Sequence, residues 1–194
     1  MTPRAEAIAQ LARYLARYPE EEARLAALSA QLADDAGDVF GRANMRGHIT
    51  TSAIVLDASL SRVLLIHHKT LDRWLQPGGH YEAPGSLWDS ALREVAEETG
   101  VTGLRPHPLC AGLPLDIDSH AIPGNPRKQE GAHWHHDYAY LALADGHDAA
   151  APQALSAQLD EVHAAAWRPL AQLAGLPSDR LHTVAAKLAA LLAS

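Results

Sequence analysis

Hydrophobic and polar positions change period several times along the chain, and each change marks an element. Near the N-terminus Ile8, Leu11 and Leu15 recur at helical spacing, and Leu25, Leu28 and Leu32 repeat the pattern beyond Pro19. Proline is at home in the first turn of a helix, so Pro19 reads as the start of the second run and Gly37 as its end. The two predicted helices make a hairpin within residues 1–40, a structural or dimerising addition with no chemistry of its own. From His48 the period shortens. "HITTSAIVLD" and "RVLLIHHK" are β-branched and aliphatic, which predicts two strands joined by a short turn. "TLDRWLQPGGHYEAPGS" is rich in proline and glycine and reads as loop.

A strong helix follows. Ser86 reads as its N-cap, Asp89 as the capping-box partner three residues on, and Gly100 as its C-terminal stop. Leu87, Ala91 and Val95, joined by Leu92, form its core side, and Glu94, Glu97 and Glu98 lie largely on another face. Like charges at i, i+3 and i+4 repel by roughly 0.2–0.5 kcal/mol per pair on an exposed helix. Such a face is either solvated or meets a cation. Beyond it, "LRPHPLCAGLPLDIDS" suggests broken strands, "HAIPGNPRKQEGA" a long polar loop and "HWHHDYAYLALA" a clear strand. "DGHDAAAPQALSAQLD" reads as another loop, "EVHAAAWRPL" as a short strand leading into a helix around "LAQLA", and "SDRLHTVAAKLAALLA" as an amphipathic helix. The order predicts a mixed α/β fold without the regular βαβ alternation or the G-x-G-x-x-G turn of a doubly wound sheet.

Composition narrows the partners. The formal net charge is −7 and no dense Lys/Arg stripe occurs, so a duplex nucleic acid is not an expected partner. An acidic chain meets phosphates through a metal ion or a local basic patch. No apolar run is long enough to span a bilayer, and the first 25 residues lack the apolar core of an export signal. The single cysteine, Cys110, has no partner for an internal disulfide and reads as packing. A cytoplasmic setting is expected.

The segment "GHYEAPGSLWDSALREVAEETGV", Gly79 to Val101, closely resembles the Nudix box, G-x5-E-x7-R-E-U-x-E-E-x-G-U with U a bulky aliphatic residue. Gly79, Arg93, Glu94, Val95, Glu97, Glu98, Gly100 and Val101 fill their positions at matched spacing. Gly85 stands where the family has its first glutamate, with Glu82 and Asp89 as partial substitutes, and a Gly85→Glu change is expected to raise activity or leave it unaltered. The resemblance implies a Nudix α/β/α sandwich with a mixed sheet over residues 45–194. It also implies hydrolysis of a diphosphate linkage in a nucleoside diphosphate joined to some other group, dependent on Mg²⁺, with Mn²⁺ as a substitute. The metal ligands would be Glu94, Glu97, Glu98 and the carbonyl of Gly78, with Arg93 bracing Glu97 across i,i+4. Glu161, at the start of the late strand, is the candidate for a further ligand or the general base.

Outside the box, strand alternation puts His133, His135 and Asp137 on one face and Trp134, His136 and Tyr138 on the other. Two histidines at i,i+2 are also a zinc-type spacing. His48, His68, Trp74, His133 and His135 are candidate lining for a substrate pocket, and Arg127 and Lys128 are a candidate basic clamp from the loop before that strand. Two alternatives stay open at this level: a catalytically weak module that binds a nucleotide or protein partner, and a zinc enzyme using the histidine strand. A homodimer through the N-terminal hairpin is a further expectation.

Overall fold

The computed structural model describes residues 1–34, 37–126, 129–144 and 162–193. Among the described residues four helices flank the sheet: α1 (Pro3–Arg17), α2 (Ala26–Ala33), α3 (Leu87–Thr99) and α4 (Asp179–Leu192). The strands are β1 (Gly47–Leu56), β2 (Arg62–His68), β3 (Arg73–Leu75), β4 (Gly78–His80), β5 (Arg105–Pro106), β6 (Pro114–Ile122), β7 (His133–Leu143) and β8 (Val162–Pro169). β1 and β7 run parallel at the centre, in register from Gly47 opposite Trp134 to Leu56 opposite Leu143. β4 pairs antiparallel with the first half of β1 and β2 with its last residues, while β5 and β6 pair antiparallel with β7. β3 and β8 extend the sheet from β2.

Alternation along the central strands divides the core in two. Ile49, Ala53 and Val55 of β1 and Tyr138 and Tyr140 of β7 pack with Leu87, Ala91 and Val95 of α3. Ala7, Leu11 and Tyr14 of α1 and Leu28 and Leu32 of α2 belong to the same cluster. On the opposite face Ile54, Leu56, Val63, Leu65 and Leu141 meet Leu181, Val184, Leu188 and Leu191 of α4. The result is the expected α/β/α sandwich. Burying one large aliphatic side chain contributes about 1.5–3 kcal/mol, several times the repulsion of an exposed glutamate pair. The core side of α3 therefore fixes its rotation, and the glutamates take the positions left to them.

Several elements differ from the sequence reading. Ile8 is 45% exposed, because α1 is turned to bury Ala7, Leu11 and Tyr14 instead of an Ile8 stripe. Pro19 begins a 3-10 turn, Pro19–Glu21, and α2 starts later, at Ala26, and ends at Ala33, ahead of Gly37. "LAQLA" is likewise a 3-10 turn, Leu170–Gly175. The proline- and glycine-rich segment after β2 contains β3 and β4, held by pairing with β2 and β1 and not by any period of their own. Cys110 is buried, and burial pushes its thiol up to about 11, in keeping with a packing role. Among the described residues no helix is long and apolar enough to cross a membrane.

The rotation of α1 has a polar cause. Asp116 on β6 is fully buried and accepts from Tyr14 Oη at 2.7 Å and from Arg24 Nη2 at 3.3 Å. Lys187 and Arg180 of α4 pair with the same carboxylate, and Arg180 Nη2 also donates to Asp137 at 2.9 Å. One anion thus joins both outer helical layers to the sheet edge.

The turn from β1 to β2 rests on a second buried carboxylate. Asp57 Oδ1 accepts the backbone N–H groups of Ser61 and Arg62, both at 2.9 Å, and Oδ2 accepts Ser59 Oγ at 2.7 Å. Burial alone would raise its pKa, but these bonds outweigh it and hold the carboxyl below its ordinary range. A depressed carboxyl contributes stability above its unfolded value, near 3.8, that is lost as pH falls through the folded value. Asp57→Asn is expected to cost about 1–2 kcal/mol at pH 7 in urea unfolding, and the gap between variant and parent should narrow as pH falls below 3.8.

Candidate active site

The acidic helix is set in place from both ends. Ser86 Oγ accepts the N–H of Asp89 at 3.1 Å, and Asp89 Oδ2 accepts the N–H of Ser86 at 3.0 Å, completing the capping box. Gly100 closes the helix in the left-handed region, with φ of 75°. Glu6 of α1 adds a cap the sequence did not reveal: its Oε2 accepts the N–H of Leu87 at 3.3 Å.

Glu94 and Glu98 then meet the short strand β4. Glu98 Oε2 accepts the N–H of Gly78 at 2.9 Å, and Glu98 is buried. The backbone of β4 lies so close to β1 that a Cβ on Gly78 would sit 2.4 Å from Ser52 Cβ and 2.7 Å from the Thr51 carbonyl. A Cβ on Gly79 would sit 2.4 Å from Glu94 Oε2. Only glycine at both positions lets β1, β4 and the Glu94 carboxylate approach in this way.

Arg93 braces the set. Its Nη2 donates to Glu94 Oε1 at 2.9 Å and to the His80 carbonyl at 3.3 Å, and Nη1 donates to the Glu82 carbonyl at 3.1 Å. Its Nε lies 3.6 Å from Glu97 Oε1, the ion pair expected at i,i+4. Even so, burial, with Glu97 and Glu82 nearby, holds the Glu94 carboxyl above its ordinary range, against the pull of Arg93. The donors of the cluster are hard carboxylate oxygens, the kind that fits a divalent cation of the Mg²⁺ type.

Gly85 changes one expectation. Its φ is +146°, a region that side-chain-bearing residues rarely adopt, and a Cβ there would meet Asp89 Cβ at 3.3 Å. The loop is built for glycine, so Gly85→Glu cannot simply restore a missing ligand. Asp89 is committed to the cap and Glu82 is exposed, 4.0 Å from Arg93.

Of the other candidates, His48, His133 and His135 come together on the face of the sheet opposite α3. His80 of β4 joins them, with its ring 4.9 Å from that of His48, and His120 of β6 stands opposite His135. Neither was singled out from sequence; the signal was their alternation with Gly79 and Ser119, hidden inside segments read as loop. His68 instead caps the turn after β2, where its Nδ1 accepts the N–H of Leu71 at 3.3 Å. Trp74 packs edge-on to His67, 5.2 Å between centroids, and under Arg168. Arg127, Lys128 and Glu161 lie outside the described residues. Beside the histidines a cleft of about 530 Å³ is lined by Arg73, Gln76, Asp118, His120, Asp137 and Arg180. Burial pushes Asp137 up to about 6, against hydrogen bonds from Ser52 and Thr50.

The NUDIX domain model matches residues 46–192. The chain belongs to the Nudix family. Among curated Nudix relatives, a probable DHNTP pyrophosphohydrolase of Lactococcus lactis is 32% identical over 104 residues, 54% of this chain and 58% of that protein. An m7GpppN-mRNA hydrolase of Danio rerio is 36% identical over 73 residues, 35% of this chain and 24% of that protein. The chain thus spans little more than half of the first relative and about a quarter of the second. An Ap4A hydrolase of C. elegans, solved as a binary complex, shares the fold with a TM-score of 0.54 at 19% identity, covering 75% of this chain and 97% of that one.

The strained position gives a direct test. Gly85→Glu is expected to lower stability by about 1–3 kcal/mol, read as a lower midpoint in urea at unchanged slope. An unaltered midpoint would show that the loop accepts a side chain without cost.

Proposed function

We propose that this Nudix protein is a metal-dependent pyrophosphohydrolase that cleaves a diphosphate linkage in a nucleotide derivative by attack of water on phosphorus. The observation that carries this reading is the convergence of Glu94 and Glu98 on the glycine pair of β4, with Arg93 tying Glu94 and Glu97 to the same loop. The hydrolase names of both curated relatives support the reaction class. Glu94, Glu97 and Glu98, with the carbonyl of Gly78, would hold a divalent cation. When bound, such an ion supplies charge neutralisation at the phosphates and a water of lowered pKa.

The chain's own contribution is orientation. Arg93 holds the β4–α3 loop through two backbone carbonyls, so the carboxylates stay in place as charge develops on the substrate. Glu97 is the most exposed of the three and so the carboxylate most open to an attacking water. The cleft beside Asp137 and Arg180 offers Arg73 and His120 as polar contacts for a substrate.

Gly85 favours a second reading, a module that binds a nucleotide but turns it over weakly, because its backbone leaves no place for the family's first glutamate. A panel of nucleoside triphosphates, sugar nucleotides, dinucleoside polyphosphates and coenzyme A, assayed with Mg²⁺ or Mn²⁺, separates the two. Turnover of at least one member is expected, and Glu97→Gln should lower its kcat by about 10²–10³-fold. No turnover of any member, with nucleotide binding unaffected by Glu97→Gln, would sink the hydrolase reading. Gly79→Ala is expected to displace Glu94 and weaken Mn²⁺ binding, followed by electron paramagnetic resonance, about tenfold or more.

A further inference from the structure

The histidines on the opposite face of β4 have a geometry the carboxylate site does not explain. His48 on β1 lies opposite His135 on the parallel strand β7, and His133 is two residues earlier on the same face. One ring nitrogen or other ligand atom from each lies within 4.8 Å of the others. His48 and His133 are buried and His135 is half-buried.

The hydrogen bonds set which nitrogen of each ring carries the proton. His133 Nδ1 is 2.8 Å from the Gly131 carbonyl, so Nδ1 carries the proton and Nε2 of the neutral ring presents a lone pair. His48 is arranged in the same way, with Nδ1 3.4 Å from the Asn44 carbonyl. Its Nε2 is buried and has no hydrogen-bond partner among the described residues. A backbone carbonyl on the far ring nitrogen is the usual support of a metal-binding histidine. His133 Nε2 and His135 Nε2 are 3.2 Å apart. Two nitrogens sharing a tetrahedral zinc at roughly 2.0–2.1 Å would be about 3.3 Å apart.

We propose that His48, His133 and His135 bind a zinc ion through their imidazole nitrogens, at a second metal site separated from the box carboxylates by the thickness of β4. The two sites select different ions. Hard carboxylate oxygens suit Mg²⁺ and Mn²⁺, whereas three imidazoles suit zinc and its borderline neighbours. Three protein ligands leave a fourth position open, as in zinc sites that hold a water or an anion. His80 and Gly79 are adjacent in β4 but face opposite ways, His80 toward His48 and Gly79 toward Glu94. β4 therefore carries a direct mechanical link between the sites.

Zinc titration of the full-length, chelator-stripped protein in excess Mg²⁺, read against a chromophoric chelator, tests this. One tightly bound equivalent is expected. His133→Gln and His48→Gln should each weaken it roughly 100-fold, and Glu97→Gln should leave it unchanged. Absence of stoichiometric zinc, affinity indifferent to both histidine variants, or loss of zinc in Glu97→Gln would each overturn the proposal. Because a buried histidine variant can fail to fold, the parent protein supplies a second readout. Co²⁺ should give the intense visible bands of a four-coordinate nitrogen site, displaced by Zn²⁺, and a weak octahedral spectrum would overturn the proposal equally. Failure of nucleotide turnover with zinc binding intact would sink the hydrolase reading alone.

Discussion

The in-register parallel pairing of β1 and β7 is the constraint on which the rest depends. A parallel pair cannot be closed by a hairpin, so the chain between Leu56 and His133 must travel back across the sheet. That excursion contains β2, β3, β4, α3, β5 and β6, and hence the whole box. The pairing also decides what each face presents. Ile49, Thr51, Ala53 and Val55 turn toward α3, and His48, Thr50, Ser52 and Ile54 turn the other way. A slip of one residue would exchange these sets and bury imidazoles under α3.

Two kinds of polar chemistry are thereby placed back to back. On one side, carboxylates crowd against a backbone stripped of side chains, braced by Arg93. On the other, imidazoles crowd against each other and burial keeps His48 and His135 neutral. β4 separates them with three residues, two of which have no Cβ at all. The glycines follow from that thinness: Gly78 gives way to Ser52 on one side and Gly79 to Glu94 on the other.

What was legible in the sequence was whatever repeats locally. The capping box, the Leu87–Ala91–Val95 stripe, β1, β2, β7 and α4 all carry a period or a cap within a few residues. The shared face of His133, His135 and Asp137 follows from alternation alone. What was not legible depends on distant partners. β3 and β4 are strands only because β2 and β1 offer edges. His48 joins the other histidines only through the register of two strands far apart in sequence. The face of α1 is set by Asp116, 102 residues from Tyr14. Glu98 read as a metal ligand, and its burial against the N–H of Gly78 had no local signal. Gly85 looked like a missing glutamate, and only its φ reveals a positional demand for glycine.

The buried carboxylate of Asp116 also bears on the order in which the molecule is completed during synthesis. Tyr14 and Arg24 precede it in the chain, but Arg180 and Lys187 are made 64 and 71 residues later. A carboxylate is costly to bury without its cations. Arg24 can offset Asp116 from the start, and the full set of its partners is complete only once α4 has been made.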